Sequence, residues 1–190
     1  VLAGWLWRLL GKRVIFWYTH YQASGWMFWA GQLFAHEVVT ATNGSNPLRR
    51  AKAIGHHVAS RFFQATREEG CSTPLRGLVL GRVSRVKRIP ETIQAVSTYL
   101  QDGSLWLDVV GPGIDEGEEK IVANHGLPRV LRRNERVRYD HLPRFLSDYD
   151  ILLSATPDSM DKVILEAAAT GMVVLATSRG WRETIQELPE

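Results

Sequence analysis

Four side chains in this sequence have the types and spacing to do chemistry. Arg82 and Lys87 stand in the run GRVSRVKR at 81–88, and Asp158 and Glu166 in the run DSMDKVILEA at 158–167. A guanidinium offers phosphate oxygens a two-pronged fork, and an ammonium offers them a point charge. Gly81, just ahead of the cations, lets a backbone come close to a ligand. Together these residues could neutralise a diphosphate without a metal. Taken alone, a solvated basic loop is the better account of the run. Asp158 and Glu166 are eight positions apart, about 12 Å if the intervening chain were fully helical. A carboxylate pair flanking one glycosidic bond needs about 5–9.5 Å, so these two suit opposite ends of one long ligand. The plainer alternative makes Asp158 an N-cap with Asp161 at N3, and turns Glu166 to solvent.

The elements that must position these residues follow from the pattern around them. LRGLVLG (75–81), LWLDVVGPG (105–113), DILLSATP (150–157) and MVVLATS (172–178) are short apolar runs that read as strands. PETIQAVSTYLQDG (90–103), LPRFLSDYD (142–150) and DKVILEAAATG (161–171) carry helical spacing, and Gly103 and Gly171 stop two of them. Strands alternating with helices predict a parallel sheet covered on both faces, with right-handed crossovers. The fold class expected is α/β: a Rossmann-like parallel sheet with helices on both faces, plus a partial second α/β domain. In such sheets ligands bind outside the carboxyl ends of the strands. The strand ending near Ala155 delivers Asp158 to that edge, and the following helix turns free N–H groups toward it, where phosphate is favoured.

The first part reads differently. GKRVIFWYTH (11–20) is a strand running into a loop at His20, GWMFWAGQLFAH (25–36) a buried helix, and EVVTAT (37–42) a second strand before the turn NGSNP (43–47). STPLRG (72–77) reads as a linker, so the expected domains are 1–72, the end of an α/β domain, and 73–190, a nucleotide-binding one.

Composition narrows the function classes. The 190 residues are 45% hydrophobic and 23% charged, as in globular proteins, and a single cysteine, Cys71, excludes an internal disulfide. Residues 1–75 hold eight Lys and Arg against three Asp and Glu, whereas 76–190 hold fifteen against seventeen. The basic, Trp-rich first part suits an anionic membrane surface. Residues 14–36 contain no Asp, Glu, Lys or Arg. Their scattered Thr19, His20, Gln22, Gln32 and His36, with many aromatic rings, argue against a span. No Cys/His spacing suggests zinc, and neither a phosphate-binding P-loop nor a serine elbow is present. RVLRRNERVR (129–138) reads as a solvated loop rather than a nucleic-acid contact, so no nucleic-acid partner is expected.

The order G-R-x4-K, then VVGPG, then D-x7-E-A with a following Gly and apolar strand, resembles the carboxy-terminal domain of retaining glycosyltransferases of family 4, of the GT-B architecture. The resemblance covers 76–190, and 11–70 look like the end of the amino-terminal domain. It implies a glycosyltransferase that moves a sugar from a nucleotide-sugar donor to a glycan, a lipid-linked acceptor or a cell-surface polysaccharide precursor, with retained configuration. It implies that Arg82 and Lys87 bind the donor diphosphate and that Asp158 lies near the donor sugar hydroxyls. Glu166 would take the ribose hydroxyls, and His20 would approach the reacting sugar. Gly81 and the glycines 111 and 113 match close-approach turns, the latter pair near the base, with Tyr139 close by. Ser159 and Met160 match donor-binding positions of the motif. The nucleotide-sugar is a substrate, and neither a cofactor nor a metal is expected. The implied setting is cytoplasmic, at the inner face of the membrane.

The sequence also departs from the pattern. Asp158 replaces the usual Glu, and Ser159-Met160-Asp161 replaces the usual Gly-Phe-Gly, so that Asp161 brings negative charge toward the diphosphate with Lys162 beside it to offset this. The amino-terminal strands with their Gly-rich loop have no counterpart, and a last helix crossing back to the first domain is not expected. A fragment, or a divergent short relative, fits these features. A non-catalytic nucleotide-binding or interaction module, a remnant of such an enzyme, is the alternative. A peripheral membrane protein using its Trp-rich part is a third reading, compatible with either.

Overall fold

The computed structural model describes residues 3–19, 21, 25–45, 51–65, 70–158 and 160–186. His20 and Ser159 lie outside the described residues. The chain forms two units: Val1–His57 with Asp158–Met160 and Arg179–Glu190, and Val58–Pro157 with Asp161–Ser178. Against the expected junction at 72/73, the first change of unit comes at His57/Val58. The reason is local. Phe62 is fully buried, and its ring meets that of Tyr139 at 5.6 Å, inside the second unit.

The first unit contains α1 (Gly4–Leu9), β1 (Ile15–Trp17), α2 (Gly25–Phe34), β2 (Glu37–Thr40) and β3 (Ala51–Ala53). The strands form a parallel sheet in the order β1-β2-β3. Helix α2 lies on β1 through Gly31, where an added Cβ would stand 2.6 Å from the Phe16 ring. Phe28 packs on Tyr18 at 4.6 Å between centroids. The expectation of a buried helix needs correction. Only Phe28 and Gly31 of α2 are buried, and Trp26, Met27, Trp29 and Leu33 are exposed. Three short strands cover one stripe of this helix and leave its other apolar residues outside. Among the described residues no helix is long and apolar enough to cross a membrane.

The second unit contains β4 (Leu75–Leu80), α3 (Ile89–Ala95), α4 (Ser97–Asp102), β5 (Leu105–Val110), α5 (Glu116–Ala123), β6 (Val130–Arg133), α6 (Leu142–Ser147), β7 (Ile151–Ser154), α7 (Lys162–Ala169) and β8 (Val173–Ala176). All five strands are parallel, in the order β6-β5-β4-β7-β8. Leu78 and Val79 of β4 and Leu105, Leu107 and Val109 of β5 are buried with Ile89, Ile93, Leu100 and Val122 from the helices. That continuous apolar filling is what a sheet covered on both faces requires. The strand order reverses between β4 and β7, so the loops leaving these two strands diverge and open a crevice.

The structure departs from the sequence pattern at two further points. The helix expected over 90–103 is interrupted at Val96, which separates α3 from α4. The run at 129–138 is not all loop, because its first residues form the edge strand β6. There Arg132 makes a two-pronged pair with Glu119 at 2.8 and 2.7 Å. Charged side chains on an edge strand keep it from pairing with other chains.

A last helix, α8 (Arg179–Gln186), follows β8 and belongs to the first unit, although no such returning helix was expected. Its Glu183 and Gly180 dock on Tyr21, Gly44 and Met160. Tyr21 donates to Glu183 at 3.0 Å, the Gly44 amide donates to the same oxygen at 3.1 Å, and a Cβ on Gly180 would stand 2.9 Å from the Met160 Cβ.

Candidate functional site

An open pocket of about 540 Å³ lies at the carboxyl edge of the larger sheet, lined by Gly81, Arg82, Lys87, Gly111, Pro112, Glu135, Arg136, Asp161, Lys162 and Val163, among others. It falls within the range of about 300–1,000 Å³ typical of small-molecule sites. Four of these residues are cations and two are acids, so the wall is net positive.

The loop after β4 is shaped by glycine. Gly81 has φ +144°, a left-handed conformation that favours a residue without Cβ. Its amide donates to Val110 O at 2.9 Å, which ties the loop to β5. Gly111, with φ +139°, comes so close that a Cβ there would lie 2.0 Å from the Gly81 carbonyl oxygen. The two glycines thus form a matched pair of turns, held further by Val83 N–H donating to Pro112 O at 2.9 Å.

A single 3-10 turn, Arg85–Lys87, then brings Lys87 back over the strand end. Arg88 closes it at φ +47° and ψ +45°, where its carbonyl accepts from the Thr92 hydroxyl at 2.9 Å. The Lys87 ammonium pairs with Asp161 Oδ2. Thr156 also donates to that oxygen, at 3.0 Å. This contact joins the loops of β4 and β7 across the reversal of strand order.

Asp161 holds the N-cap position of α7 with an extended backbone, φ −72° and ψ +133°, yet its side chain makes no capping hydrogen bond. A carboxylate at this position ordinarily caps the N–H groups of the first turn. Here it is turned to Lys87 and Thr156 instead. The start of α7 is therefore an uncapped, partly positive helix end beside two cations, an arrangement that attracts phosphate.

Of the residues singled out in the sequence, the pocket brings together Gly81, Arg82, Lys87 and Gly111. Asp158 is exposed and belongs to the first unit. Met160 is buried in that unit, where its thioether Sδ accepts from the Thr184 hydroxyl at 3.7 Å. Glu166 is only 3% exposed, so a solvent-facing carboxylate is excluded. It shares the buried face of α7 with Ile164 and Ala167. Its Oε1 lies 3.1 Å from the Nζ of Lys162, one turn back. Glu166 is not among the residues lining the pocket, whereas Lys162 is.

Lys162 also donates to the Tyr139 hydroxyl at 2.7 Å. That hydrogen bond first, and Glu166 second, push the Lys162 ammonium above its ordinary pKa. The Tyr139 ring carries two cations, Arg61 at 4.5 Å and Lys162 at 4.7 Å. The sequence reading did not find Thr156, Glu135 or Arg136. Thr156 has no signal in sequence, since its role depends on where Asp161 turns. Among the described residues no group of three or more His, Cys, Asp or Glu is placed to hold a metal.

The sequence model described as glycosyl transferases group 1 matches residues 75–188. No curated protein sequence matches the chain. Among solved structures, HepE of Anabaena in complex with UDP-glucose is similar to this chain with a TM-score of 0.76 at 13% identity, over 100% of this chain and 59% of HepE. The UDP-forming α,α-trehalose-phosphate synthase of Burkholderia vietnamiensis gives 0.68 at 12% identity, over 89% and 55%. A glycosyltransferase of Rickettsia africae gives 0.59 at 15% identity, over 92% and 60%. The chain thus spans less than two thirds of each. At these identities the likeness is one of fold: parallel sheets with helices, of the Rossmann-like kind found in GT-B glycosyltransferases.

Proposed function

The chain belongs to the group 1 glycosyl transferases, and from that premise we propose that it takes part in transferring a sugar from a nucleotide-sugar donor to a glycan, lipid-linked or polysaccharide-precursor acceptor, with retention of configuration. One observation carries this reading: Arg82, Lys87 and the uncapped start of α7 face one pocket at the reversal of strand order. Uracil is the base favoured, since HepE was solved with UDP-glucose.

In this reading the pocket holds the donor's diphosphate. The acceptor oxygen bonds to the anomeric carbon as the bond from that carbon to the diphosphate breaks, and the acceptor's proton passes to the leaving phosphate oxygen. Arg82, Lys87 and the α7 N–H groups stabilise the charge that builds on the leaving group. No side chain serves as a covalent nucleophile, and no metal is required, because the cations supply the neutralising charge. The family resemblance alone gives Asp158, His20, Ser159 and Met160 roles at the donor sugar and Glu166 a role at the ribose; Glu166 itself does not line the pocket, whereas Lys162, its ion-pair partner, does. The exposed Trp5, Trp7, Trp26 and Trp29, with Arg8 and Lys12 nearby in sequence, suit contact with an anionic membrane at its cytoplasmic face.

Calorimetry with UDP and UDP-glucose, paired with a product assay in the presence of EDTA, tests this. Binding and transfer, both weakened in Arg82→Met, are expected. Binding without transfer would instead favour a non-catalytic nucleotide-binding module, a reading supported by the occupation of Lys87 by Asp161. No binding of either ligand would overturn both.

A further inference from the structure

Asp161 is the residue of the pocket that the chemistry of phosphate binding does not call for. It is an acid placed against the cation best positioned to meet a diphosphate. The side chains of Lys87 and Asp161 are 19% and 24% exposed, so water screens their attraction only in part. The Thr156 hydroxyl fixes the same carboxylate oxygen at 3.0 Å, which holds the acid in that orientation. The position itself offers Asp161 a different use, since it stands at the N-cap of α7 in capping backbone conformation and makes no cap. Its carboxylate has been drawn off its own helix and onto Lys87.

We infer that Asp161 is a specificity-determining residue that competes with the ligand's phosphates for Lys87, so that the pocket admits only ligands carrying enough negative charge to displace it. The inference rests on the nucleotide-sugar reading of the same pocket. A diphosphate brings two or more charges to Lys87, Arg82 and the α7 N–H groups at once, and so outweighs a single carboxylate. A neutral nucleoside brings none and leaves the pair closed. The effect of Asp161 is therefore graded by ligand charge and exerted through Lys87, rather than through the shape of the pocket.

The test is binding of UDP and of uridine to the intact chain, the Asp161→Asn variant, Lys87→Met and the double variant. Asn keeps the size and the Thr156 hydrogen bond while removing the charge. UDP should bind Asp161→Asn about tenfold more tightly than the parent chain, the scale of one charge-assisted hydrogen bond. Uridine binding should be unchanged, or undetectable in both. The gain for UDP should vanish when Lys87 is already Met. If Asn at 161 impairs folding, Asp161→Ser, which supplies a helix cap, should show the same gain. UDP binding that is equal or weaker in these variants overturns the inference and leaves the nucleotide pocket standing. A gain that extends to uridine also overturns it, because Asp161 would then act by shape, and so does a gain for UDP that survives in the Lys87→Met background, because Asp161 would then repel the phosphates directly rather than act through Lys87. Failure of every form to bind UDP overturns this inference and the nucleotide-sugar reading together.

Discussion

Tyr21 donates its phenolic hydrogen to Glu183 Oε2 at 3.0 Å, joining two residues 162 positions apart in the chain. The same phenol is 2.8 Å from the Thr42 hydroxyl, and Arg179 donates to the other Glu183 oxygen at 3.1 Å. Burial above all, and Glu183 in addition, push the Tyr21 phenol up to about 12. For Glu183, burial works to raise the pKa, but the hydrogen bonds from Thr42, Tyr21, the Gly44 amide and Arg179 prevail and hold it below its ordinary value. This carboxylate is the clamp that fastens α8 to the first unit.

Replacing the clamp should loosen α8. Glu183→Gln removes hydrogen bonds to a charged acceptor, each worth about 1.5–3 kcal/mol when well formed. Allowing for partial exposure, a net loss of about 2 kcal/mol is expected, or roughly 4–8 °C in melting temperature. Because the folded pKa of Glu183 is depressed, its contribution is present above the ordinary carboxylate pKa and is lost as pH falls through the lower folded value. The gap between parent and variant should therefore shrink below about pH 4.5. Hydrogen exchange of α8 amides at pH 7 and pH 3.5 reads this directly. An equal gap at both values would show that the charge is not what holds the helix.

Arg82 and Lys87 should not be equivalent. Arg82→Met removes one phosphate partner and should weaken UDP about tenfold to a hundredfold. Lys87→Met removes the less exposed of the two cations, whose attraction to a phosphate is less screened by water. It should weaken UDP more than Arg82→Met does. Titration calorimetry on both variants at one salt concentration decides the order.

Four of the five strands of the larger sheet were legible in the sequence because each is a short apolar run ending near Gly or a polar turn; the edge strand β6, with two arginines among its four residues, was not. Gly81, Arg82, Lys87 and Gly111 were legible for the same reason: they sit where a strand ends, and strand ends in this fold gather at one edge. What the sequence concealed depends on contacts far apart in the chain. α5 and α8 are largely polar and show no long apolar run, and α8 is placed by contacts with Tyr21, Gly44 and Met160. Asp161 could be seen as a charge out of place, but not that it abandons its own helix for Lys87. Glu166 reads as a carboxylate in an apolar helix. Its burial beside Lys162 needs the rotation of α7, which α6, β7 and β8 impose.

Gly111 should be among the least replaceable residues of the pocket. Alanine there would adopt φ +139° and put its Cβ 2.0 Å from the Gly81 carbonyl oxygen, a backbone atom that cannot swing aside. Strained backbone and overpacking together should cost about 3 kcal/mol or more. Gly126 is the control, with φ +71° and nothing within 4 Å of an added Cβ. Alanine at 126 meets only the conformational cost, about 1–2 kcal/mol. Urea unfolding of Gly111→Ala and Gly126→Ala should separate the two, and UDP binding should be lost only in the former. Similar losses in both would mean that the two turns at 81 and 111 are not in contact.

Lys162 and Glu166 allow a test of charge against packing. Glu166 is 3% exposed, and Lys162 lies 3.1 Å away. The contact is an ion pair rather than a well-aligned hydrogen bond, since Oε1 finds no hydrogen-bond partner of good geometry among the described residues. Removing the cation by Lys162→Met strands a buried carboxylate, and should cost about 1–3 kcal/mol. Removing the acid as well, in Lys162→Met/Glu166→Met, replaces the pair by apolar side chains of similar length, a change that is often neutral or stabilising. The double variant should therefore be more stable than Lys162→Met alone. A double variant less stable than the single would show that Glu166 is held by its surroundings and not by Lys162. In that case the carboxylate is stabilised on the buried face of α7 without its neighbouring cation, and Lys162 is free to serve the pocket alone.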